Sequence, residues 1–292
     1  MFTIVFVSFH SEAHINRLVS GIDQRFNIIV IENSKNDTLK RDLENKYKNV
    51  KVLITKKNLG LSGSYNLAIK ESKTNLVFLN PSDVVISNKC LIDLEDCVKQ
   101  IKDFAILSPT YDNEKVYKNY KIWNKKITNF YLNDEKIKKY KIKEVDFIDN
   151  DFIINKEKLK RINFFDENFF LYFETMDLCK RVKDLNFKIY VCDNIKFTHF
   201  GSQSVDLKFS NESALSRSWH YNWSKFYYFK KHSGTIFALR KIFPNLVRSI
   251  KKMIISKLKN DINLYKLSKT EFLGIAHSVL NKPSCYRPFE EE

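Results

Sequence analysis

The chain has 292 residues, of which 43% are hydrophobic and 14% aromatic, so it is long enough for a large packed core and too apolar for wholesale disorder. Its 50 Lys and Arg against 34 Asp and Glu give a net charge of +16, which predicts a polyanionic partner: nucleic acid, an anionic membrane or a phosphorylated substrate. A lysine-rich background composition would give the same excess without any function.

The cysteines and the apolar runs indicate the compartment. Five cysteines without a C-x-x-C pair argue against a disulfide framework and a zinc site, and they are typical of a reducing cytosol. The opening MFTIVFVSFHSEAH lacks a basic segment, so it does not predict a signal peptide. No run approaches the roughly 18 apolar residues that span a bilayer. We therefore expect a soluble or peripheral protein.

Short apolar strands alternate with helical patterns in the first hundred residues. The predicted strands are Thr3–Ser8, Asn27–Glu32, Val50–Thr55, Asn75–Asn80 and Phe104–Pro109, with helical patterns at 12–22, 38–47, 62–72 and 88–101. This alternation predicts an α/β fold in which helices cover both faces of a mainly parallel sheet. In such a sheet, ligands bind at the loops that follow the carboxyl ends of the strands.

The remainder of the chain is first irregular and then helical. From Tyr111 to Lys143 the periodicity is lost, which predicts an irregular excursion. Beyond about Asp206 the pattern is helical, and Pro244 is expected to break one long run into two helices. We therefore predict two domains, a nucleotide-binding and catalytic domain at 1–205 and a basic helical appendage at 206–292.

Three strand-end loops carry candidate ligands for a nucleotide. In IENSKND, Glu32 and Asn33 are placed to bind a ribose or a base edge, although a turn with a helix cap also favours these residue types. In KNLGLSGSYNLAI, Gly60 would let backbone N–H groups approach a phosphate at a helix start, or simply form a tight turn. Asp83 follows the fourth strand and is either a turn residue or a carboxylate ligand for Mg²⁺ or Mn²⁺ on a diphosphate.

Two later motifs carry candidate ionisable groups. In FLYFETMDLCKRV, a helix predicted from Leu171 onward places Glu174 and Asp177 on one face, among aromatic residues that would suit a carboxylate to proton abstraction. The alternatives are charges that favour a helix start, or an ion pair between Asp177 and Arg181. In FTHFGSQS, His199 is either a buried core histidine or a metal or phosphate ligand.

The order of these motifs resembles family 2 glycosyltransferases, and most closely the rhamnosyltransferase-like members that build bacterial cell-surface polysaccharides. The resemblance runs from Phe2 to Ser204 and rests on VSFHSE, IENS, NLGLSGSYN, LNP followed by an aspartate, FDENFFLYFETMDLCKR and HFGSQS. It implies a GT-A fold and an inverting, metal-dependent enzyme. Such an enzyme would move a sugar, with rhamnose as one candidate, from a UDP- or dTDP-sugar to a hydroxyl of a glycan or lipid-linked acceptor.

The resemblance also implies roles for single residues. The nucleotide-side residues would be Ser8, Glu12, Glu32, Asn33, Asn58, Gly60 and Asn66, with Glu32 where the family has a base-reading aspartate. Asp83 would meet the Mg²⁺ or Mn²⁺ ion and the diphosphate, with His199 nearby. Glu174 and Asp177 match the acidic pair around the catalytic base.

Some positions depart from the family pattern, namely Ser82, Thr175 and the pair Asp149 and Asn150. Ser82 displaces Asp83 by one position, and Thr175 occupies the place of the family's expected base. Either Glu174 or Asp177 therefore takes over proton abstraction, or the enzyme is slow, altered or inactive. The alternative functions are a catalytically impaired GT-A-fold binding protein and, on charge alone, a nucleic-acid-binding protein.

The C-terminal region is strongly basic. Between Lys225 and Lys266 there are eleven Lys or Arg and one acid, Asp261, mixed with apolar residues at helical spacing. This pattern predicts either a helix lying on an anionic bilayer or a solvated helical bundle. A lipid-linked acceptor would give the first placement a chemical reason, and both alternatives stay open. We expect a cytoplasmic protein, with the inner face of the plasma membrane as a candidate peripheral location and with no nucleic-acid partner.

Overall fold

The computed structural model describes residues 1–82, 84–101, 103–111, 118–123, 129–134, 137–199 and 210–287. The strands are β1 (Thr3–Ser8), β2 (Asn27–Glu32), β3 (Val50–Ile54), β4 (Leu76–Asn80), β5 (Val84–Val85), β6 (Ile106–Tyr111), β7 (Tyr120–Lys121), β8 (Asn129–Asp134), β9 (Ile137–Glu144), β10 (Phe147–Ile148), β11 (Phe152–Asn155) and β12 (Ile189–His199). The helices are α1 (Glu12–Gly21), α2 (Asp37–Lys46), α3 (Gly60–Glu71), α4 (Asn88–Gln100), α5 (Lys156–Lys160), α6 (Glu174–Asp184), α7 (Ser210–Ser233), α8 (Thr235–Leu258) and α9 (Ile262–Val279).

The chain forms two compact units. The first consists of Met1–Leu59, Gly63–Phe165 and Thr175–Ser204, and the second of Gly60–Ser62, Asp166–Glu174 and Val205–Glu292. The second unit thus combines the helical C-terminal region with two short segments from earlier in the chain. The assignment of nucleotide binding and catalysis to residues 1–205, with 206–292 as a helical appendage, stays a prediction.

Four parallel strands in the order β3-β2-β1-β4 form one side of the main sheet. Their runs of Val, Ile and Phe are buried because helices cover both faces, as the sequence predicts. The register sets Ser8 opposite Glu32, and Glu32 opposite Ile54, so the carboxyl ends of three strands lie side by side. This edge carries most of the predicted nucleotide-side residues.

Beyond β4 the sheet is mixed. Strand β11 is antiparallel to both β4 and β6, and β12 is parallel to β6 and antiparallel to β9. The irregular excursion predicted for Tyr111–Lys143 is wrong where β8 and β9 form an antiparallel pair. Tyr140 and Ile142 are buried and alternate with lysines, a period-two pattern that the high lysine content concealed.

Helices α7, α8 and α9 form the helical part of the second unit, with a small core around Phe226, Ile242 and Ile275. The predicted break at Pro244 is wrong, because α8 continues through this proline and the break falls at Gly234, which has φ +85°. Proline removes one backbone donor, and both Pro244 and Arg240, whose carbonyl loses that donor, are exposed. No helix in the described part of the chain is both long and apolar enough to cross a bilayer.

Candidate active site

Glu32 lies buried at the carboxyl end of β2, next to the equally buried Ser8 at the end of β1. Its Oε1 accepts the backbone N–H of Ser34 at 2.5 Å and also the Ser34 hydroxyl. Its Oε2 is buried and has no hydrogen-bond partner among the described residues. A buried carboxylate oxygen without a donor is costly, and it is therefore well suited to accept an N–H group from a ligand.

Asn33, the next residue, joins three loops at the same edge. Its Nδ2 donates to Ser64 Oγ at 2.8 Å, and its Oδ1 accepts from Thr55 Oγ1 at 3.0 Å and from the Leu59 backbone N–H at 3.2 Å. Its own backbone N–H donates to the Ser8 carbonyl at 2.9 Å. The Asn33 side chain therefore holds the framework of the edge, and a direct nucleotide contact stays a prediction.

Three other residues that we predict to contact the nucleotide either bond to protein groups or lie buried in a loop. Glu12 accepts from Asn36 Nδ2 at 2.9 Å, and the Asn36 side chain in turn caps α2. Asn66 forms a reciprocal pair with the Phe165 backbone, donating at 3.0 Å and accepting at 3.1 Å. Asn58 is buried in the loop between β3 and α3. Their nucleotide contacts stay predictions.

Gly60 lies at a position that only glycine fits. Its φ is +67°, and a Cβ there would lie 2.3 Å from the Phe170 carbonyl oxygen and 2.5 Å from the Phe170 ring. The same carbonyl accepts the Leu61 N–H at 2.8 Å. The absent side chain therefore lets the start of α3 approach the Phe170 backbone, whether or not it also admits a phosphate.

Residues Phe169–Phe173, here named the aromatic loop, precede α6. The helix begins at Glu174, so the predicted start at Leu171 is wrong, because Tyr172 and Phe173 have φ values of +67° and +65°. Phe170 stacks on His220 with ring centroids 4.4 Å apart, and the Leu171 carbonyl accepts from Ser224 Oγ at 2.9 Å. Left-handed backbone at bulky residues is uncommon and persists where the surrounding packing enforces it, often at functional sites.

Asp166 anchors the segment before the aromatic loop, a role that the sequence interpretation missed. Its Oδ2 accepts from Lys231 Nζ at 2.7 Å and from Tyr227 Oη at 3.0 Å. Burial raises the pKa of Asp166, but the bonds from Lys231 and Asn168 outweigh it and leave the pKa below its usual value. The sequence signal was its place in FDENFF, yet the partners lie more than sixty residues away on α7.

The first turn of α6 carries three buried polar residues, Glu174, Thr175 and Asp177. Asp177 is fully buried and its Oδ2 accepts from Arg181 Nε at 2.7 Å. Arg181 also donates to the Ile162 carbonyl at 2.6 Å. The ion pair considered for Asp177 is therefore present within α6, and the second bond of Arg181 ties this helix to the chain ahead of it.

The predicted metal ligands are described only through their neighbours, because Asp83 and the side chain of His199 lie outside the described residues. Asn80 Nδ2 donates to the Pro81 carbonyl at 2.9 Å and to the Val84 carbonyl at 3.2 Å. Val84 pairs with His199 between β5 and β12. No cluster of three or more metal-ligating side chains occurs within the part of the chain that the structure describes.

Comparisons with known proteins agree with this architecture. The sequence model of glycosyl transferase family 2 matches residues 3–163, more than half of the chain. A comparison with curated proteins finds no match.

Two solved structures are similar in fold. The mannosyltransferase PcManGT from Pyrobaculum calidifontis, in complex with GDP-Man and Mn²⁺, aligns with a TM-score of 0.56 and 10% identity over 96% of this chain and 87% of that chain. S. aureus TarS 1-349, in complex with UDP-GlcNAc, aligns with a TM-score of 0.52 and 15% identity over 96% and 92%. The predicted GT-A fold with a helical C-terminal region is confirmed.

Proposed function

Because the chain belongs to glycosyltransferase family 2, we propose that it inverts the anomeric carbon as it moves a sugar from a nucleotide-sugar donor to an acceptor hydroxyl. The observation that carries the proposal is the family match over residues 3–163, which includes the sheet edge around Glu32. The two similar structures contain GDP-Man and UDP-GlcNAc, which supports a nucleotide sugar as donor.

Glu32 is the residue we propose to bind the donor base. Its Oε1 is held by Ser34, whereas its buried Oε2 has no partner among the described residues. The ring N–H of a uracil or thymine base would satisfy this oxygen, in accord with the expected UDP- or dTDP-sugar. A charge-assisted hydrogen bond of this kind contributes about 1.5–3 kcal/mol.

Asp83 and His199 are proposed to hold a divalent cation on the donor diphosphate. The set fits such an ion: a carboxylate and phosphate oxygens suit Mg²⁺ and Mn²⁺, and an imidazole favours Mn²⁺. The assignment is supported by the pairing of His199 with Val84, the residue that follows Asp83 in the sequence. When bound, the ion would neutralise charge on the departing nucleoside diphosphate.

Glu174 is the base that we propose. Asp177 is ion-paired with Arg181, and removing its charge would leave this partly buried guanidinium without that counterion. Glu174 stands next to Thr175, which occupies the family's expected base position. Its carboxylate would accept the proton of the acceptor hydroxyl as that hydroxyl attacks the anomeric carbon.

The sugar and the acceptor are proposed from the motif resemblance. Rhamnose is the candidate sugar, and the candidate acceptor is a glycan or lipid-linked oligosaccharide of a cell-surface polysaccharide. We also propose that the enzyme acts in the cytoplasm, at the inner face of the plasma membrane, where such acceptors are held.

Calorimetric titration with UDP-, dTDP- and GDP-sugars, with and without Mn²⁺, tests the donor site. We expect one uracil or thymine nucleotide to bind, Glu32→Gln to weaken it by roughly tenfold or more, and Asp83→Asn to remove the effect of Mn²⁺. An exposed carboxylate variant, Asp42→Asn on α2, is the control. Metal-dependent binding that survives Asp83→Asn would contradict the metal assignment.

A catalytically impaired binding protein is the second candidate, and Thr175 is the observation that favours it. Donor binding without turnover, unchanged by Glu174→Gln, would support this candidate. Restored turnover in Thr175→Asp would show that the missing family carboxylate is the cause.

A further inference from the structure

Helix α8 presents a continuous apolar stripe to solvent. Six large side chains on one face have exposed fractions between 41% and 79%: Ile236, Leu239, Phe243, Ile250, Ile254 and Leu258. Their spacings of three, four or seven residues match the helical period, so the stripe follows one side of the helix. Over 24 residues α8 is about 36 Å long. We name these six residues the α8 stripe.

The opposite side of α8 is packed within its own unit. Ala238 and Ile242 are buried in the small helical core, and Asn245 accepts from Lys225 Nζ at 2.9 Å and donates to Asn222 Oδ1 at 2.8 Å. The helix is therefore held in place through its other face. Nothing in this packing requires the α8 stripe to be apolar, so the stripe indicates an interaction surface.

The charge around the α8 stripe indicates the kind of partner. Helix α8 contains no acidic residue, and Arg240, Lys251 and Lys257 are exposed beside the stripe. The exposed Lys241 and Arg248 lie farther round the helix. A second copy of the chain on this face would bring these bases against one another. A surface that offers both hydrocarbon and negative charge satisfies the stripe and its flanks together.

We propose that α8 lies in the plane of an anionic lipid bilayer, with the α8 stripe in the boundary between headgroups and acyl chains. Such a helix would bury its apolar side chains to a depth of about 5–10 Å while the flanking bases contact phosphate headgroups. This inference deepens the proposed function, because a lipid-linked acceptor would be presented at the same surface. It is tested without donor or acceptor.

Sedimentation with lipid vesicles tests this surface. We expect the protein to bind vesicles of phosphatidylcholine with phosphatidylglycerol, to bind phosphatidylcholine alone much more weakly, and to lose binding as salt rises. Phe243→Ser combined with Ile254→Ser should weaken binding by roughly tenfold or more. Ile92→Ser, at a side chain of similar exposure on α4, should leave it unchanged.

A second experiment reverses the charge of two basic residues on α8. Arg240→Glu combined with Lys251→Glu should weaken binding to the anionic vesicles, whereas Lys48→Glu, at an exposed lysine of the first unit, should not. Donor binding should be the same in all these variants, which separates failure of the membrane surface from failure of the proposed function.

The inference would be overturned by equal binding to both kinds of vesicle, by a stripe variant that binds as well as Ile92→Ser, or by a dimer in solution that the stripe variant abolishes. Salt-sensitive retention on DNA without vesicle binding would also overturn it.

Discussion

A side chain can be unfavourable at a glycine position for two reasons: the backbone has a positive φ, or a Cβ atom has no space. Gly21 has an open environment, Gly234 has φ +85° in open space, and Gly60 combines φ +67° with a Cβ position 2.3 Å from the Phe170 carbonyl. Left-handed backbone costs a non-glycine residue about 1–2 kcal/mol, and a collision with backbone atoms adds to that cost. The close approach of α3 to the Phe170 backbone therefore depends on Gly60.

We expect alanine substitutions at these glycines to form a graded series. Gly21→Ala should change the free energy of unfolding little, Gly234→Ala should lower it by about 1–2 kcal/mol, and Gly60→Ala should lower it by more. Denaturant unfolding measures all three, and a Gly60→Ala variant as stable as Gly21→Ala would contradict the fit described for Phe170.

His220 is a buried group whose charge state affects stability. It is fully buried on α7, where its Nε2 lies 2.8 Å from the Tyr286 carbonyl and its Nδ1 lies 3.0 Å from Ser284 Oγ. Burial lowers the pKa of His220 to about 3, although the bond to Tyr286 opposes the shift. The imidazole is therefore neutral in the folded protein, whereas it binds a proton in the unfolded chain below about pH 6.5.

This difference predicts a loss of stability in mild acid. Between about pH 6.5 and 5 the unfolded chain gains a proton that folded His220 does not, so the free energy of unfolding falls by up to about 1.4 kcal/mol per pH unit. In His220→Gln, which retains hydrogen-bonding groups, the slope should be smaller by about one proton. Denaturant unfolding at several pH values measures it, and identical slopes would contradict a neutral, buried His220.

At the scale of elements, Asp166 fixes the segment before the aromatic loop to α7. Asp166 bonds Tyr227 and Lys231, while Asp184 forms an ion pair with Lys180 on an exposed helix surface. Ion pairs that are partly desolvated contribute more than exposed ones, because water screens the latter.

Asp166→Asn should therefore lower the free energy of unfolding by about 1–2 kcal/mol, whereas Asp184→Asn should change it little. Because the pKa of Asp166 is lowered by folding, its contribution is present above the unfolded pKa near 4 and is lost as pH falls through the folded pKa. The two variants should thus differ in denaturant unfolding at neutral pH, and equal stability would argue against the anchoring role.

Elements differ in how well the sequence predicts them. Strands β1–β4 were predictable within a residue at each end, because burial on both faces makes them continuous apolar runs. Strands β8 and β9 were not predicted, since in β9 the lysines that alternate with the buried Tyr140 and Ile142 concealed the period of two. Pro244 was misleading because a solvent-facing proline removes one hydrogen bond without ending a helix that packs along its other face.

The roles of single site residues were less predictable than the elements. The position of Glu32 follows from strand order, but its unpartnered Oε2 is visible only in the folded structure. Asn80 and Asp166 were not singled out, because their roles depend on partners across a turn or in a distant helix. Asp177 was correctly paired with Arg181 as an alternative, since both lie one turn apart on the same helix.

At the scale of the whole molecule, the family match and the basic charge belong to different parts of the chain. The match covers residues 3–163, whereas Glu174 and helices α7–α9 lie outside it. The net charge of +16 is concentrated in part between Lys225 and Lys266, where the α8 stripe also lies. A donor site in the matched part and a lipid-binding surface in the helical part would account for both features.

The central claim is that the protein transfers sugar from a nucleotide sugar with Glu174 as base. The most direct measurement is release of nucleoside diphosphate from UDP-, dTDP- and GDP-sugars with Mn²⁺, as water takes the place of the acceptor hydroxyl, by the unmodified protein and by Glu174→Gln. We expect release from one donor, and a loss of about 100-fold or more in Glu174→Gln with donor binding retained. Release that is unchanged by Glu174→Gln, or no release from any donor, would contradict the claim.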